Sequence, residues 1–137
     1  MPRPSHASPT TSTTKSMRQD EHHLQVACIK YYRLCYPRTE RCLFAIPNGG
    51  ARNKATAGKL KAEGVLAGVA DLYLARPGLD KHGHFIEMKI PGGKQTMSQR
   101  TFQRTVEAQG YAYVVIRTID DFITYVDEVE RDLGVEK

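Results

Sequence analysis

The sequence has no apolar run long enough to cross a membrane, since its longest apolar stretches have the length of one β-strand. It also lacks an N-terminal apolar segment of the kind found in secretory signals. Cysteine is scarce: Cys28, Cys35 and Cys42 are the only three, and no Cys-x-x-Cys pair occurs. We therefore expect a cytoplasmic protein without a membrane span, and we interpret the cysteines as buried apolar residues rather than zinc ligands.

The length leaves room for a single domain and a tail. Residues 1–18 are rich in Ser, Thr and Pro and contain almost no large apolar side chain. Such a segment buries too little surface to offset the entropy lost on ordering. We predict a disordered tail over 1–18 and a folded domain over 19–137.

Positive charge is concentrated in the middle of the chain, although the net charge is only +5. No acid occurs between positions 41 and 62, whereas acids outnumber bases after position 106. A localised basic segment indicates a polyanionic partner such as a nucleic acid. Its basic residues are Arg41, Arg52, Lys54, Lys59 and Lys61.

Hydrophobic periodicity and turn residues predict eight elements in the order α-β-α-β-β-α-β-α. The predicted helices cover about 20–36, 54–63, 97–109 and 120–133, and the predicted strands cover 41–46, 68–75, 85–90 and 111–117. Thr96 or Ser98 is the expected N-cap of the third helix. The fold class is therefore α/β, with a single mixed sheet flanked by helices.

A candidate catalytic cluster lies on the two central strands. Asp71 begins one strand, and Glu87 and Lys89 leave the same face of the next because they are two residues apart. If the strands pair, two carboxylates and one ammonium converge. Carboxylate oxygens are ligands for Mg²⁺, and a bound metal activates water. An ordinary cross-strand salt bridge on a solvated face is the alternative.

The first helix carries a stripe that begins with polar residues. Glu21 and Gln25 precede Cys28 and Tyr32 on this stripe, so Glu21 can reach the carboxylate cluster as a further metal ligand. Alternatively, Glu21 lies in the first turn and only complements the helix dipole. His82 and His84 occur at the end of the predicted hairpin, where we expect surface residues.

Further residues are candidates for phosphate contact. A glycine pair before a basic segment allows close approach of backbone N–H groups to phosphate, although a plain turn fits as well. Gln99 lies in the first turn of the third helix, on the side of Glu87, and arginines line the adjacent stripe. The predicted DNA-binding residues are Asn48, Gly49, Arg52, Lys54, Lys59, Lys61, Lys94, Arg100 and Arg104.

Five short motifs in order resemble the VRR-NUC family, a branch of the PD-(D/E)XK nucleases with a restriction-endonuclease-like core. The resemblance covers about residues 21–126. The motifs are Glu21 with Gln25, residues 46–50 (IPNGG), Gly64-Val65 followed by residues 68–72 (GVADL), residues 85–89 (FIEMK), and Ser98-Gln99.

The resemblance implies a role for each site residue. Asp71 and Glu87, with the backbone carbonyl of Met88, would hold Mg²⁺ or Mn²⁺. Lys89 would orient the attacking water, Glu21 would complete the acidic cluster, and Gln99 would anchor the water or substrate. One position departs from the family pattern: Ala70 replaces the usual proline before the aspartate. Proline there shapes the backbone, so the chemistry is not affected.

Small stand-alone members of this family come from phages and bacteria. They look like homodimeric endonucleases that cut branched DNA such as four-way (Holliday) junctions. The resemblance therefore implies a metal-dependent DNA endonuclease in a bacterial or phage-infected cell, with no membrane partner. Two other classes stay open: a nucleic-acid-binding module with an inactive nuclease fold, and a non-catalytic subunit of a phage or repair complex.

Overall fold

The computed structural model describes residues 11–47 and 54–137. The helices are α1 (Thr11–Cys35), α2 (Lys54–Ala62), α3 (Met97–Ala108) and α4 (Ile119–Asp132), and the strands are β1 (Leu43–Ala45), β2 (Leu72–Leu74), β3 (His84–Met88) and β4 (Ala112–Ile116). A 3₁₀ helix, Pro37–Cys42, joins α1 to β1. The predicted order of helices and strands is correct, with this one addition. No helix in the described ranges is both long and apolar enough to span a membrane.

The four strands form one mixed sheet in the order β1-β2-β3-β4. β1 and β2 pair antiparallel, as do β2 and β3, whereas β3 and β4 are parallel. A parallel pair needs a crossover connection, and α3 provides it. The register between the central strands aligns Leu72 with Ile86.

The two faces of the sheet have different partners because side chains alternate along each strand. Ile86 and Met88 face the core that α1 and α4 complete, where Tyr32 and Phe122 are fully buried. Phe85 and Glu87 face the other side. There α3 covers the β3–β4 half of the sheet, and Phe102 packs edge-on against Phe85 with the ring centroids 5.0 Å apart.

α1 begins at Thr11, within the segment for which the sequence analysis expects a disordered tail, instead of at Asp20. Residues 11–35 contain no glycine or proline. A helix nucleated by its packed C-terminal half can therefore propagate toward the N-terminus at little cost per residue. Residues 1–10 lie outside the described residues.

His84 corrects a second expectation, because its side chain is fully buried rather than on the surface. It lies on the core face of β3, in line with Ile86. Its Nε2–H donates to the Gly78 carbonyl at 3.1 Å, and Nδ1 accepts from the Tyr125 hydroxyl at 2.6 Å. Burial lowers the pKa of His84, so the neutral imidazole is the favoured form.

The cysteines are all free. Cys28 is buried in the core as predicted, but Cys35 and Cys42 are only half-buried. Cys35 ends α1 and Cys42 ends the 3₁₀ helix, so both lie at the margin of the packed region.

Candidate active site

Sheet register brings Asp71 and Glu87 together. Because Leu72 pairs with Ile86 in an antiparallel ladder, Asp71 and Glu87 are the next residues opposite each other. The Asp71 carbonyl accepts the backbone N–H of Ile46 at 2.8 Å, which extends the sheet pairing to this position. The Asp71 carboxylate accepts the backbone N–H of Met88 at 2.7 Å. Asp71 is thus held by backbone on both sides.

Glu87 has fewer partners than its burial requires. Only 4% of the residue is exposed. Oε1 accepts one hydrogen bond, from Gln99 Nε2 at 2.9 Å, and Lys89 Nζ lies 4.0 Å from the same oxygen. Oε2 is buried and has no hydrogen-bond partner. The Asp71 carboxylate beside it also lacks a proton to donate when ionised, so the pair requires either a proton on Glu87, which then donates to Asp71, or a bound cation.

The electrostatics follow from this arrangement. Burial and then the Asp71 charge raise the pKa of Glu87 to about 8, against a smaller opposing effect of Lys89. Burial also raises the pKa of Asp71, although the Met88 N–H and Glu87 oppose the shift. Buried, like-charged carboxylates with shifted pKa values are typical of metal and catalytic sites.

Gln99 is oriented by contacts at both ends of its side-chain amide. Oε1 accepts the backbone N–H of Thr96 at 2.8 Å, and the Thr96 hydroxyl accepts the Gln99 N–H at 3.2 Å. This is a capping box at the start of α3, which leaves Nε2 directed at Glu87. The structure confirms the expected position of Gln99 beside Glu87. Its contact is with a carboxylate, and its proposed role toward water or substrate stays a prediction.

Glu21 stands at the edge of the carboxylate pair. Because α1 begins at Thr11, Glu21 is well beyond the first turn, so it is not placed to complement the helix dipole. Partial burial and the charge of Asp71 raise its pKa, while Lys89 and a hydrogen bond from the Ile90 N–H lower it. These interactions place Glu21 next to the cluster.

No three Asp, Glu, His or Cys side chains within residues 11–47 and 54–137 form a group arranged to hold one metal ion. The geometry therefore brings together a pair of carboxylates, Asp71 and Glu87, rather than a closed ligand set. The set predicted from the resemblance, which adds Glu21 and the Met88 carbonyl, stays a prediction. A hard divalent cation still fits the pair, since Mg²⁺ commonly takes one or two carboxylates and completes its shell with water and phosphate oxygens.

The structure describes only some of the predicted DNA-binding residues. Asn48, Gly49 and Arg52 lie outside the described residues, and Lys54 is the first residue of α2. The others have exposed side chains on α2, on α3 or in the loop before α3. These exposed residues are Lys59, Lys61, Lys94, Arg100 and Arg104. Exposure leaves them available for phosphate, and their contact with DNA stays a prediction.

Arg117 supports the site although no sequence pattern predicted it. Its Nη1 donates to the carbonyl of Ile90 at 3.1 Å and to that of Gly93 at 2.7 Å. These two bonds hold the turn that follows Lys89. No local pattern identifies this role, because the contact joins the end of β4 to a loop more than twenty residues earlier. The Thr96–Gln99 capping box, by contrast, is readable as T-x-x-Q.

Comparison with known proteins identifies the fold. A solved structure described as a "VRR_NUC domain protein" matches with a TM-score of 0.71 and 23% sequence identity, over 82% of this chain and 88% of that one. This chain has a VRR-NUC-like fold. No family model matches the sequence, and no curated protein is significantly similar to it.

The VRR-NUC-like fold confirms the predicted class, a mixed sheet flanked by helices with the element order described above. The structural superposition establishes the shared fold, and at 23% sequence identity the function must be inferred from the site itself. In this VRR-NUC-like domain, Asp71 and Glu87 lie opposite each other on the central strands, with Lys89 and Gln99 in contact range of Glu87.

Proposed function

We propose that this chain is a nuclease that hydrolyses phosphodiester bonds of DNA with the help of Mg²⁺ or Mn²⁺. The observation that carries the proposal is the state of Glu87. A carboxylate that is buried, faces a second carboxylate and has an oxygen without any donor is costly to retain for stability alone. The cost is explained if the oxygen receives a cation during function.

Asp71 and Glu87 would hold the metal, with Glu21 and the Met88 carbonyl as further ligands. A divalent metal there would supply Lewis-acid stabilisation of phosphate charge and a more acidic water. The Met88 N–H fixes the Asp71 carboxylate, and Gln99 fixes one oxygen of Glu87. Both acceptors are therefore pre-oriented, which reduces the reorganisation needed during the reaction.

Lys89 would orient the attacking water and offset charge on the phosphate. Its ammonium lies 4.0 Å from Glu87 Oε1, and its side chain is 13% exposed. The distance is longer than a charge-assisted hydrogen bond, so the ammonium is not fully engaged by Glu87. A partly desolvated cation beside two carboxylates can contact a substrate oxygen without leaving the cluster.

The proposed substrate is branched DNA, such as a four-way junction, and the proposed assembly is a homodimer. Both rest on the family resemblance, and the exposed cations of α2 and α3 support a polyanionic substrate. Two equivalent strands of a symmetric junction would suit a two-fold protein. A solution mass that corresponds only to monomer would contradict the dimer.

The test is cleavage of junction, flap and linear duplex DNA with Mg²⁺ and with Mn²⁺. We expect Asp71→Asn and Lys89→Ala to cut at least about 10²–10³-fold more slowly, as when a preorganised charge-stabilising group is lost. Lys81→Ala is the matched control, because Lys81 is an exposed lysine in the loop between β2 and β3. Equal cleavage by all four proteins would show that the assigned site is wrong.

Metal binding provides a readout independent of cleavage. Mn²⁺ should raise the thermal midpoint of the wild type, because a ligand that binds only the folded state stabilises it by mass action. Asp71→Asn should remove most of that increase, and Lys81→Ala should retain it. DNA binding without cleavage under every metal and substrate would instead favour an inactive binding module.

A further inference from the structure

Gly68 lies at the contact between the segment that leads into β2 and the first turn of α3. Its φ is +89°, in the left-handed region. A methyl group at this position would lie 2.5 Å from the carbonyl carbon of Ser98 and 2.9 Å from the backbone nitrogen of Gln99. Both distances are well inside van der Waals contact, and both atoms belong to backbone that cannot rotate away. The two segments therefore touch backbone to backbone.

Gln99, which lies across this contact from Gly68, is the residue that holds Glu87. Gln99 receives its orientation from the capping box at the start of α3, and its Nε2 donates to Glu87 Oε1 at 2.9 Å. Any residue larger than glycine at position 68 must push the first turn of α3 away from β2. A shift of this turn carries the Gln99 amide with it, since Thr96 fixes the amide to the turn.

Gly68, on one side of the contact, is close in sequence to Asp71, the second carboxylate of the pair. Gly68 is three residues before Asp71 on a segment that enters β2, and Asp71 is fixed there by the Ile46 and Met88 backbone N–H groups. One backbone contact therefore relates both carboxylates: Asp71 through the chain, and Glu87 through Gln99. The spacing of this contact sets where the Gln99 donor lies relative to the pair.

We propose that Gly68 is a positioning residue of the active site and acts on Glu87 through Gln99. This proposal rests on the nuclease function proposed above. The glycine is required for two separable reasons, its positive φ and the absence of a side chain. Only the second reason concerns the site. A control must therefore reproduce the backbone cost without the steric contact.

Gly64 offers that control within the same loop. Its φ is +100°, and a methyl group there would meet no atom within 4 Å. Gly64→Ala and Gly68→Ala thus both force alanine into a left-handed conformation, but only Gly68→Ala displaces α3. Any difference between the two variants reports the contact with Ser98 and Gln99.

The first measurement is the side-chain amide resonance of Gln99 in ¹H–¹⁵N spectra of the metal-free protein. We expect Gly68→Ala to shift this resonance and Gly64→Ala to leave it in place. The second measurement is cleavage kinetics. We expect kcat to fall about 10–100-fold in Gly68→Ala with KM unchanged, the range typical when an outer-shell partner of a metal ligand is lost.

A Gln99→Ala background tests whether the effect passes through Gln99. There, Gly68→Ala should reduce kcat no more than Gly64→Ala does, because the donor is already gone. An unshifted Gln99 resonance, equal kinetic losses in the two glycine variants, or an undiminished loss in the Gln99→Ala background would each overturn the proposal. If the wild type cuts no DNA, the nuclease function fails, while the resonance still decides the positioning role.

If Gly68→Ala does not fold, the same distance can be changed from the helix side. Gln99→Asn shortens the side chain by one methylene and withdraws the amide from Glu87. Gln103→Asn is its control, since Gln103 lies on the same helix and bonds to Gln95 instead. We expect kcat to fall in Gln99→Asn alone, with KM unchanged. Equal kcat values for the two variants would overturn the proposal.

Discussion

Two buried glutamates on opposite sides of the sheet have very different surroundings. Glu130 on α4 is fully buried and receives three hydrogen bonds, from Tyr32 and twice from the Arg76 guanidinium, each at 2.9 Å. Glu87 on β3 is 4% exposed, receives one bond from a neutral amide, and retains an oxygen with no donor. The two glutamates are almost equally buried, but Glu130 has hydrogen-bond donors at both oxygens and Glu87 at only one.

The difference separates a carboxylate with a structural role from a candidate functional one. Glu130 accepts hydrogen bonds at both oxygens, and these bonds join α4 to α1 and to the segment that follows β2. Glu87 instead faces Asp71, with its nearest cation, Lys89, at 4.0 Å. An unsatisfied buried acceptor next to a like charge destabilises the free protein, and it is retained where a ligand relieves that cost.

The largest expected effect is on cleavage by Glu87→Gln. We expect at least about a 10³-fold loss of cleavage, because the metal-binding charge is gone. We also expect the unfolding free energy to stay level at neutral pH, where the raised pKa of about 8 keeps Glu87 largely protonated, and to exceed that of the wild type only at higher pH, where the wild type must bury a charge. Parallel cleavage assays and denaturant titrations measure the two effects. A clearly destabilised variant would show that Glu87 is structural, like Glu130.

Glu130→Ala should have the opposite effect: it should lower the unfolding free energy rather than cleavage. Its loss leaves Arg76, with a side chain 19% exposed, without its bidentate partner. Breaking one member of a buried pair costs roughly 3–5 kcal/mol, and the partial exposure of Arg76 favours the lower end. Denaturant titration measures this, with Glu128→Ala, an exposed residue of the same helix, as the control. A loss no larger than that of the control would show that Glu130 has no structural role as an ion-pair partner.

The pH dependence of stability should report the environment of Glu87. The pKa of Glu87 is raised to about 8 from an ordinary 4.5, so the folded state holds a proton that the unfolded state releases. The resulting stabilisation is complete below pH 4.5 and is lost as pH rises to 8, in total on the order of a few kcal/mol.

The difference between wild type and Glu87→Gln isolates this effect. Raised pKa values of Asp71 and Glu21 act in the same direction, whereas the lowered pKa of His84 acts in the opposite one. The subtraction removes most of the Glu21 and His84 contributions, whereas the difference retains that of Asp71, because Asp71 and Glu87 interact directly. Denaturant titrations of the metal-free proteins between pH 5 and 8 provide the data. A difference that is independent of pH would contradict the assigned environment of Glu87.

The smallest expected effect is that of Tyr32→Phe. This change removes one of three donors to Glu130, together with the bond between the Tyr32 and Thr39 hydroxyls, and leaves the Arg76 pair intact. We expect a loss of about 1–2 kcal/mol in unfolding free energy, dominated by the hydrogen bond to the charged group, with cleavage unchanged. A change in cleavage would mean that the two glutamates are coupled through the core.

The element order was predictable from the sequence because each signal is local. Periodicity correctly predicted the helix α4, on which Phe122, Val126 and Val129 are buried, and Thr96 was correctly proposed as an N-cap of α3. Strand ends were less accurate, since β2 covers only Leu72–Leu74 of the predicted 68–75. Pairing with a partner strand decides where a strand ends, and that partner is distant in sequence.

The burial of His84 and the extent of α1 were not predicted, because both depend on contacts or on packing elsewhere in the chain. A histidine two residues from a turn has the composition of a surface residue, and only the packing of Tyr125 and Gly78 around it satisfies both ring nitrogens. Likewise, the start of α1 depends on helix propagation from a packed end rather than on the polar composition of residues 11–18.

By itself, the sequence determined the types and order of the elements and which side chains are candidates for the chemistry, because periodicity, caps and residue types are local properties. It placed Asp71, Glu87 and Lys89 on adjacent strands, but these residues alone fit an ordinary salt bridge better than a metal site. Only the tertiary structure decided between the two glutamates. Long-range contacts give Glu130 its guanidinium and withhold a donor from Glu87, and no local pattern records what a buried oxygen lacks.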